Sequence, residues 1–290
     1  MKRWKSLLLF IKIVLIIAVV IAIVAGIVYL ANKSFNDQVK KEIDELFKHV
    51  SVSDKNVITQ VDLENLPAPV KNWMNFAGVV GKERIVTARL KQKAEMKLEK
   101  EKSWMPVEAE QYFTVNPPGF IWKARIKAAP FFHIVGRDKY LNGKGNMQIK
   151  ILSLFTVSDA SGDEMDQGTL LRYLAEIVWF PSGALSNYIT WEEIDNNTTK
   201  ATMSFEGTTA SGIFSFSDEG YVTNFEAERY KETDGEYSLE TWSVNMYEYK
   251  NMHGYMIPTK GKVTWKLDDG DFTWFRFEIT DIEYNKTEPY

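Results

Sequence analysis

The sequence predicts a mainly β, α+β fold: a single long antiparallel sheet, curled into a half-barrel around a central helix and preceded by an N-terminal transmembrane helix. Three observations carry that reading. Ile13 to Ala31 is an apolar run in which only Gly26 and Tyr29 depart from aliphatic character. From Arg84 onward apolar residues alternate with polar ones, the period of strands with one solvated face. A single helical stretch, Leu170 to Phe180, interrupts roughly a dozen such strands.

A helix of about 20 apolar residues crosses roughly 30 Å of hydrocarbon, so the run is long enough to span. Lys2, Arg3, Lys5 and Lys12 precede it with no acid among them, which puts the N-terminus in the cytoplasm and the rest outside. Lys12 can snorkel to the headgroups. A cleaved signal peptide has a core of about 7–15 apolar residues, and Ala22-Ile23-Val24-Ala25 has the wrong spacing for its cleavage site. The expectation is an uncleaved, single-pass anchor in the cell membrane. Residues 1–31 then form a basic start and anchor, 32–65 an amphipathic helix and linker, and 66–290 an extracytoplasmic β-rich domain.

In the second of these segments Phe35, Val39, Ile43, Leu46, Phe47 and Val50 recur at helical spacing, with Lys40, Lys41, Glu42, Asp44, Glu45 and Lys48 on the other face. The stripe fits a stalk or a helix docked on the domain. A second helix starts near Leu66-Pro67-Ala68-Pro69, with proline in the first turn; Val70, Trp73, Met74 and Ala77 share a face and Gly78 ends it.

Val86, Ala88, Leu90, Ala94, Met96 and Leu98 then alternate with Thr87, Arg89, Lys91, Lys93, Glu95, Lys97 and Glu99. Val107 to Val115, Phe120 to Ile126, Phe131 to Arg137 and Met147 to Val157 continue the pattern, with turns at Pro117-Pro118-Gly119 and Asn142-Gly143. The central helix has capping groups at Asp166 to Thr169 and a stop at Pro181. Seven more candidates follow between Tyr188 and Tyr284, separated by steps such as Asp234-Gly235 and Asp269-Gly270 that supply the positive φ of hairpins. No strand–helix alternation of a parallel sheet occurs. A sheet this long curls; a closed barrel with a peripheral helix is the alternative.

Composition narrows the chemistry. The 290 residues carry net charge -4 and pI near 5.6, against nucleic-acid binding. With no cysteine there is no disulfide, thiolate site or cysteine nucleophile. His49, His133 and His253 are scattered, too few for a histidine-rich zinc site. There is no Gly-x-Ser-x-Gly and no glycine-rich phosphate loop. Asp159, Ser161, Asp163 and Asp166 look faintly like a calcium loop, but glycine and the bidentate acid are misplaced. No metal or cofactor is expected.

The segment Leu170-Leu171-Arg172-Tyr173-Leu174-Ala175-Glu176-Ile177-Val178-Trp179-Phe180-Pro181 resembles a family of bacterial membrane-associated proteins known only as a domain of unknown function. Leu66-Pro67 with Val70, Phe120 to Arg125, Gly136-Arg137-Asp138 with Gly143-Lys144-Gly145, and Ile257-Pro258 with Trp265 match as well. The similarity runs from about Leu66 to Tyr284 and implies no catalytic residue. The family's architecture looks like the half-barrel of bacterial lipoprotein carriers, an analogy of fold.

On the central helix Arg172, Glu176 and Trp179 fall at i, i+4 and i+7, beside an apolar face of Leu171, Leu174, Ala175 and Val178. Inside a curled sheet, those charges need partners. They read as a polar site on the floor of an apolar groove, Arg172 receiving a polar or anionic head and Glu176 fixing it, or as a structural pair. Arg125, Asp138 and Trp122 on the early strands complete the candidate ligand-binding set; Asp138 also fits a buried ion pair or a turn cap. Arg229 can point inward beside aromatics, and Arg276 with Glu278 read as a cross-strand charge ladder. The leading function is a membrane-anchored module that binds a lipid or other apolar ligand between sheet and helix, without catalysis. The alternatives are an envelope-assembly scaffold acting through its surface, and an acid/base enzyme using Glu176 or Asp138.

Overall fold

The computed structural model describes residues 2–48, 50, 56–233 and 235–290; His49, part of the linker and Asp234 lie outside these. The apolar run and the amphipathic stripe form one helix, α1 (Lys2–Phe47), 46 residues long and about 69 Å at 1.5 Å per residue. It is long and apolar enough to cross a membrane, and none of its apolar window is buried in the protein. A short helix α2 (Ala68–Ala77) follows, with proline in its first turn and Gly78 ending it at φ 72, the left-handed region glycine reaches at no steric cost.

Six strands come next: β1 (Thr87–Met96), β2 (Met105–Thr114), β3 (Gly119–Ala129), β4 (Phe132–Leu141), β5 (Lys144–Ile151) and β6 (Phe155–Ala160). Helix α3 (Asp163–Glu176) and two 3-10 turns, Ile177–Trp179 and Pro181–Leu185, lead on to β7 (Ile189–Asp195). The chain closes with β8 (Thr198–Phe205), β9 (Thr208–Phe216), β10 (Val222–Thr233), β11 (Glu236–Met252), β12 (Tyr255–Lys266) and β13 (Phe272–Tyr284). All belong to one 13-stranded antiparallel sheet in the order β6-β5-β4-β3-β2-β1-β13-β12-β11-β10-β9-β8-β7. The first meander starts at the middle and runs to one edge. Helix α3 carries the chain across the concave face to the other edge, packing on both β5 and β9, and the second meander returns to pair β13 with β1. The edges β6 and β7 stay unpaired with each other, so the sheet is a half-barrel around α3 and not the closed barrel.

Two details depart from the sequence expectation. Met147 to Val157 splits into β5 and β6, because Leu152 and Ser153 take φ 52 and 60 in a turn where the Ser153 hydroxyl donates to Asn32 Oδ1 at 3.0 Å. A distant contact sets that break. Helix α3 also starts earlier than expected, after Gly162. Asp166 does not cap it; its carboxylate accepts from the Gly145 backbone N–H and Lys144 Nζ, both at 2.7 Å, and so pins the helix to β5.

The docked-helix reading of the stripe holds. Phe35, Val39, Ile43, Leu46 and Phe47 are buried against Tyr112, Ile121 and Val135 on the convex face of the sheet. Glu42 pairs with Arg137 at 3.1 Å and Lys139 at 3.3 Å at the edge of this contact. Spacing of i, i+4, i+8 and i+11 keeps these side chains on one face of the helix. Ile43→Asp is expected to release this half of α1 while the sheet stays folded. Hydrogen exchange in Phe35–Phe47 should accelerate to that of an open segment, with β12 unchanged. A fall in protection across the whole sheet would show that α1 is part of the same cooperative unit.

Candidate functional site

Acids at Asp163, Glu164 and Asp166 suit the first turn of α3, where the helix dipole is positive. Leu170, Leu171, Tyr173 and Leu174 are fully buried and set the helix into the concavity. Arg172 projects from it toward β4. Its Nη1 donates to Asp138 Oδ2 at 2.5 Å and its Nε to Glu176 Oε1 at 2.8 Å. Gln111 on β2 donates to the second Glu176 oxygen at 2.7 Å. The Phe120 and Trp122 rings lie 5.0 and 5.1 Å from the guanidinium carbon, and Trp122 donates its indole N–H to Gln92 Oε1 at 3.0 Å.

Burial raises the Glu176 carboxyl above its ordinary range, with Arg172 and Gln111 pulling it back. Burial works against the Arg172 charge, but Glu176 and Asp138 outweigh it and raise the guanidinium. The result is an ion cluster that joins α3 to β2 and β4, with Gln111 Oε1 buried beside it without a hydrogen-bond partner. Both carboxylates of this arrangement are paired with Arg172.

The structure thus brings Asp138 and Trp122 together with Arg172 and Glu176. Trp179 does not. The helix tightens into a 3-10 turn before Pro181, which breaks the i+7 phase. Trp179 instead donates to the Pro258 carbonyl at 3.2 Å and stacks edge-on against Phe277 at 5.4 Å. Arg125 is exposed on the opposite face of β3, because Trp122, Ala124 and Ile126 take the inward positions. It sits in register with Glu108, not with the cluster. Gln111 and Gln92 belong to the site and were not anticipated; the signal was a glutamine at an inward position of an otherwise apolar alternation.

Arg229 occupies a distinct place. It lies on β10 beside Gly168 of α3, where a Cβ would stand 3.4 Å from its Nε. Its guanidinium carbon is 4.8 Å from the Trp242 ring and 5.9 Å from that of Trp265. The Nε is buried without a hydrogen-bond partner, and no ion pair reaches Arg229 among the described residues, although Glu240 is its cross-strand neighbour. Burial first, then the Arg172 charge, lowers its pKa to about 10, with Asp138 and Glu176 acting in the other direction.

The inner face changes along the strands. Under α3 it is closed: Leu90, Phe120, Phe225 and Ile282 have no exposure. Toward the other end Ala94 and Phe275 reach 8% and Trp265 9%, and Met96, Met105, Leu267, Phe272 and Trp274 are only half-buried. Two depressions, one along α1 from Leu30 to Glu45 and one among Lys139, Lys144, Asp163 and Asp166, include none of these inner residues. The suspected calcium loop is spent on hydrogen bonds, Asp159 accepting from Asn146 and Gln148. No group of three or more acids and histidines suited to a metal ion occurs among the described residues.

A family model described as a family of unknown function, DUF6544, matches residues 56–277. The chain belongs to that family. The matched DUF6544 region contains the whole cluster, Gln92, Gln111, Trp122, Asp138, Arg172 and Glu176, as well as Arg229, and excludes α1. Among curated proteins none matches. Of the solved structures, a putative outer membrane lipoprotein-sorting protein domain from Vibrio parahaemolyticus is similar at 9% identity, with 68% of this chain and 85% of that chain covered and a TM-score of 0.41. A DUF1329 family protein from Desulfovibrio piger gives 7% identity, 75% and 92% coverage and 0.40. A LolA superfamily protein from Nitrosomonas europaea gives 9%, 79% and 94% coverage and 0.37.

Proposed function

We propose that the protein is a membrane-tethered binding module for an amphiphile, whose apolar chain lies along the concave face where α3 leaves it uncovered. Arg229 receives the polar end. The observation that carries this reading is a guanidinium that makes no ion pair among the described residues and lies against tryptophan rings on a largely apolar surface. Each methylene taken from water by such a surface is worth about 0.8 kcal/mol, and a guanidinium pairs in two-point fashion with a carboxylate or phosphate. The Arg172 cluster then serves as the polar floor that holds α3 in place, with its hydrogen bonds already made. The apolar window of α1 and the basic residues before it support an anchor with the domain outside the cytoplasm.

Photolabelling tests the reading. Full-length protein in detergent micelles is irradiated with a long-chain carboxylate bearing a diazirine, and the adducts are mapped by mass spectrometry. Adducts are expected on the segments around Met96, Trp265 and Phe275. Labelling confined to α1 would remove the concave face as the site. Arg229→Gln should weaken labelling by the carboxylate roughly tenfold or more, from the ~1.5–3 kcal/mol of a charge-assisted hydrogen bond, and leave labelling by the matching alcohol unchanged.

A further inference from the structure

Where α1 leaves its apolar run at Ala31, the next residue, Asn32, accepts from the Ser153 hydroxyl at 3.0 Å. Ser153 in turn lies 3.4 Å from His133 Nε2 at the start of β4. These contacts hold the β3–β4 and β5–β6 turns at the level where the apolar helix ends. From there the docked half of α1 runs the length of β3 to Leu46, whose Cδ1 lies 2.8 Å from where a Cβ on Gly119 would stand. The apolar half therefore leads away from the sheet at the end that carries the two turns.

Both turns are tipped with apolar side chains. Phe131 is 104% exposed, Phe155 is 65% and Val157 56%, with Phe132 and Leu154 exposed beside them. Turn geometry does not ask for these residues. Pro130 and Phe131 form the whole two-residue connection, and Phe131 has φ 61, a conformation that glycine or asparagine ordinarily supplies. A phenylalanine held there in water loses the conformational preference of its backbone and buries nothing. Strand registers also bring Met96, Met105 and Phe272, the half-buried rim of the concave face, to the same end of the sheet as this turn.

We infer that Phe131, Phe132, Leu154 and Phe155 insert into the interfacial region of the bilayer that α1 crosses. The domain is then seated on the outer leaflet by three points, one helix and two turns, and the rim of the concave face is turned toward the lipid. The bilayer is the occupant because the hydrogen bond to Asn32 fixes the tips beside the emerging span. Aromatic and aliphatic side chains at that depth gain the burial that water denies them. The inference rests on the reading that α1 spans the membrane, and the experiment separates the two.

The chain has no cysteine, so single cysteines carry a reporter without background. Val24→Cys, Phe131→Cys, Phe155→Cys and Ser161→Cys are labelled with an environment-sensitive fluorophore, and the full chain is placed in nanodiscs with and without lipids brominated near the headgroup or deep in the acyl chain. Val24 reports the span, and Ser161, exposed at the far end of β6, reports water. The labels at 131 and 155 should shift to the blue and lose most of their emission to the shallow quencher, with the label at 161 unaffected. If position 24 is quenched by the deep lipid and positions 131 and 155 behave like 161, the seat is overturned and the span stands. If position 24 is not quenched either, the span fails and the seat with it.

Discussion

Replacing Arg172 by methionine is expected to remove about 3–5 kcal/mol of folding stability, the loss that follows when one member of a buried ion pair is taken away. Among the described residues Arg172 makes the ion pairs to both Asp138 and Glu176, and its side chain is 15% exposed against 20% and 12% for theirs. Methionine fills similar space and leaves two carboxylates facing each other, with Gln111 the remaining donor to Glu176. The loss depends on pH in a fixed direction. Burial already raises the Glu176 carboxyl above its ordinary 4.5. A folded value above the unfolded one means that its contribution is fully present below about 4.5 and is lost as pH rises through the folded value. Without Arg172 that value climbs further, so the loss still starts near 4.5 but extends to higher pH and is larger in total. Urea unfolding of the full chain in micelles at about pH 5 and about pH 8 checks this. The deficit of the variant should be larger at the higher pH, and Glu176→Gln added to it should recover part of the loss. An equal deficit at both would reduce the effect to a packing fault.

The cluster shows how far residue patterns reach. Strand parity alone separates Trp122, facing α3, from Arg125, facing water, since three positions apart on a strand means opposite faces. The same parity marks Gln92 and Gln111 as inward polar groups. Runs such as Tyr112-Phe113 and Phe120-Ile121-Trp122 have apolar residues at both parities, and there the convex face is covered too, by α1. Helix periodicity carries Arg172 to Glu176 and fails at Trp179, because Pro181 lacks the N–H that an α-helix would need beyond it. What no local pattern holds is the meeting of distant residues. Asp138 and Arg172 lie 34 positions apart, and Ser153 and Asn32 lie 121 apart. The break between β5 and β6, the early start of α3 and the unpaired state of Arg229 all follow from such meetings.

Gly145→Ala is expected to cost about 3 kcal/mol or more, at or beyond the upper end of what overpacking costs in a filled interior. Gly145 has no unusual backbone angle, so the reason is space alone. A Cβ there would stand 2.3 Å from Thr169 Oγ1 and 2.5 Å from the Met165 carbonyl oxygen, with the Met165 carbonyl carbon at 2.9 Å. Two of those atoms are backbone of α3, and Thr169 is itself held by hydrogen bonds to Met165 and Asp166 carbonyls. No rotamer change relieves the clash; the helix must move off β5. That movement pulls Asp166 from the Gly145 N–H and strains the Arg172–Asp138 bond on the next strand. Gly136→Ala on β4 is the matched control. Its new Cβ would meet only Trp122 Cζ3 at 3.5 Å, an ordinary contact, and alanine is favoured over glycine within an element by about 0.5–1 kcal/mol. Thermal unfolding of the two variants should therefore diverge in sign, Gly136→Ala at or slightly above the parent and Gly145→Ala several degrees below it. If Gly145→Ala melts with the parent, α3 is free to shift on the sheet, and the ion cluster beneath it is then not what holds the helix in place.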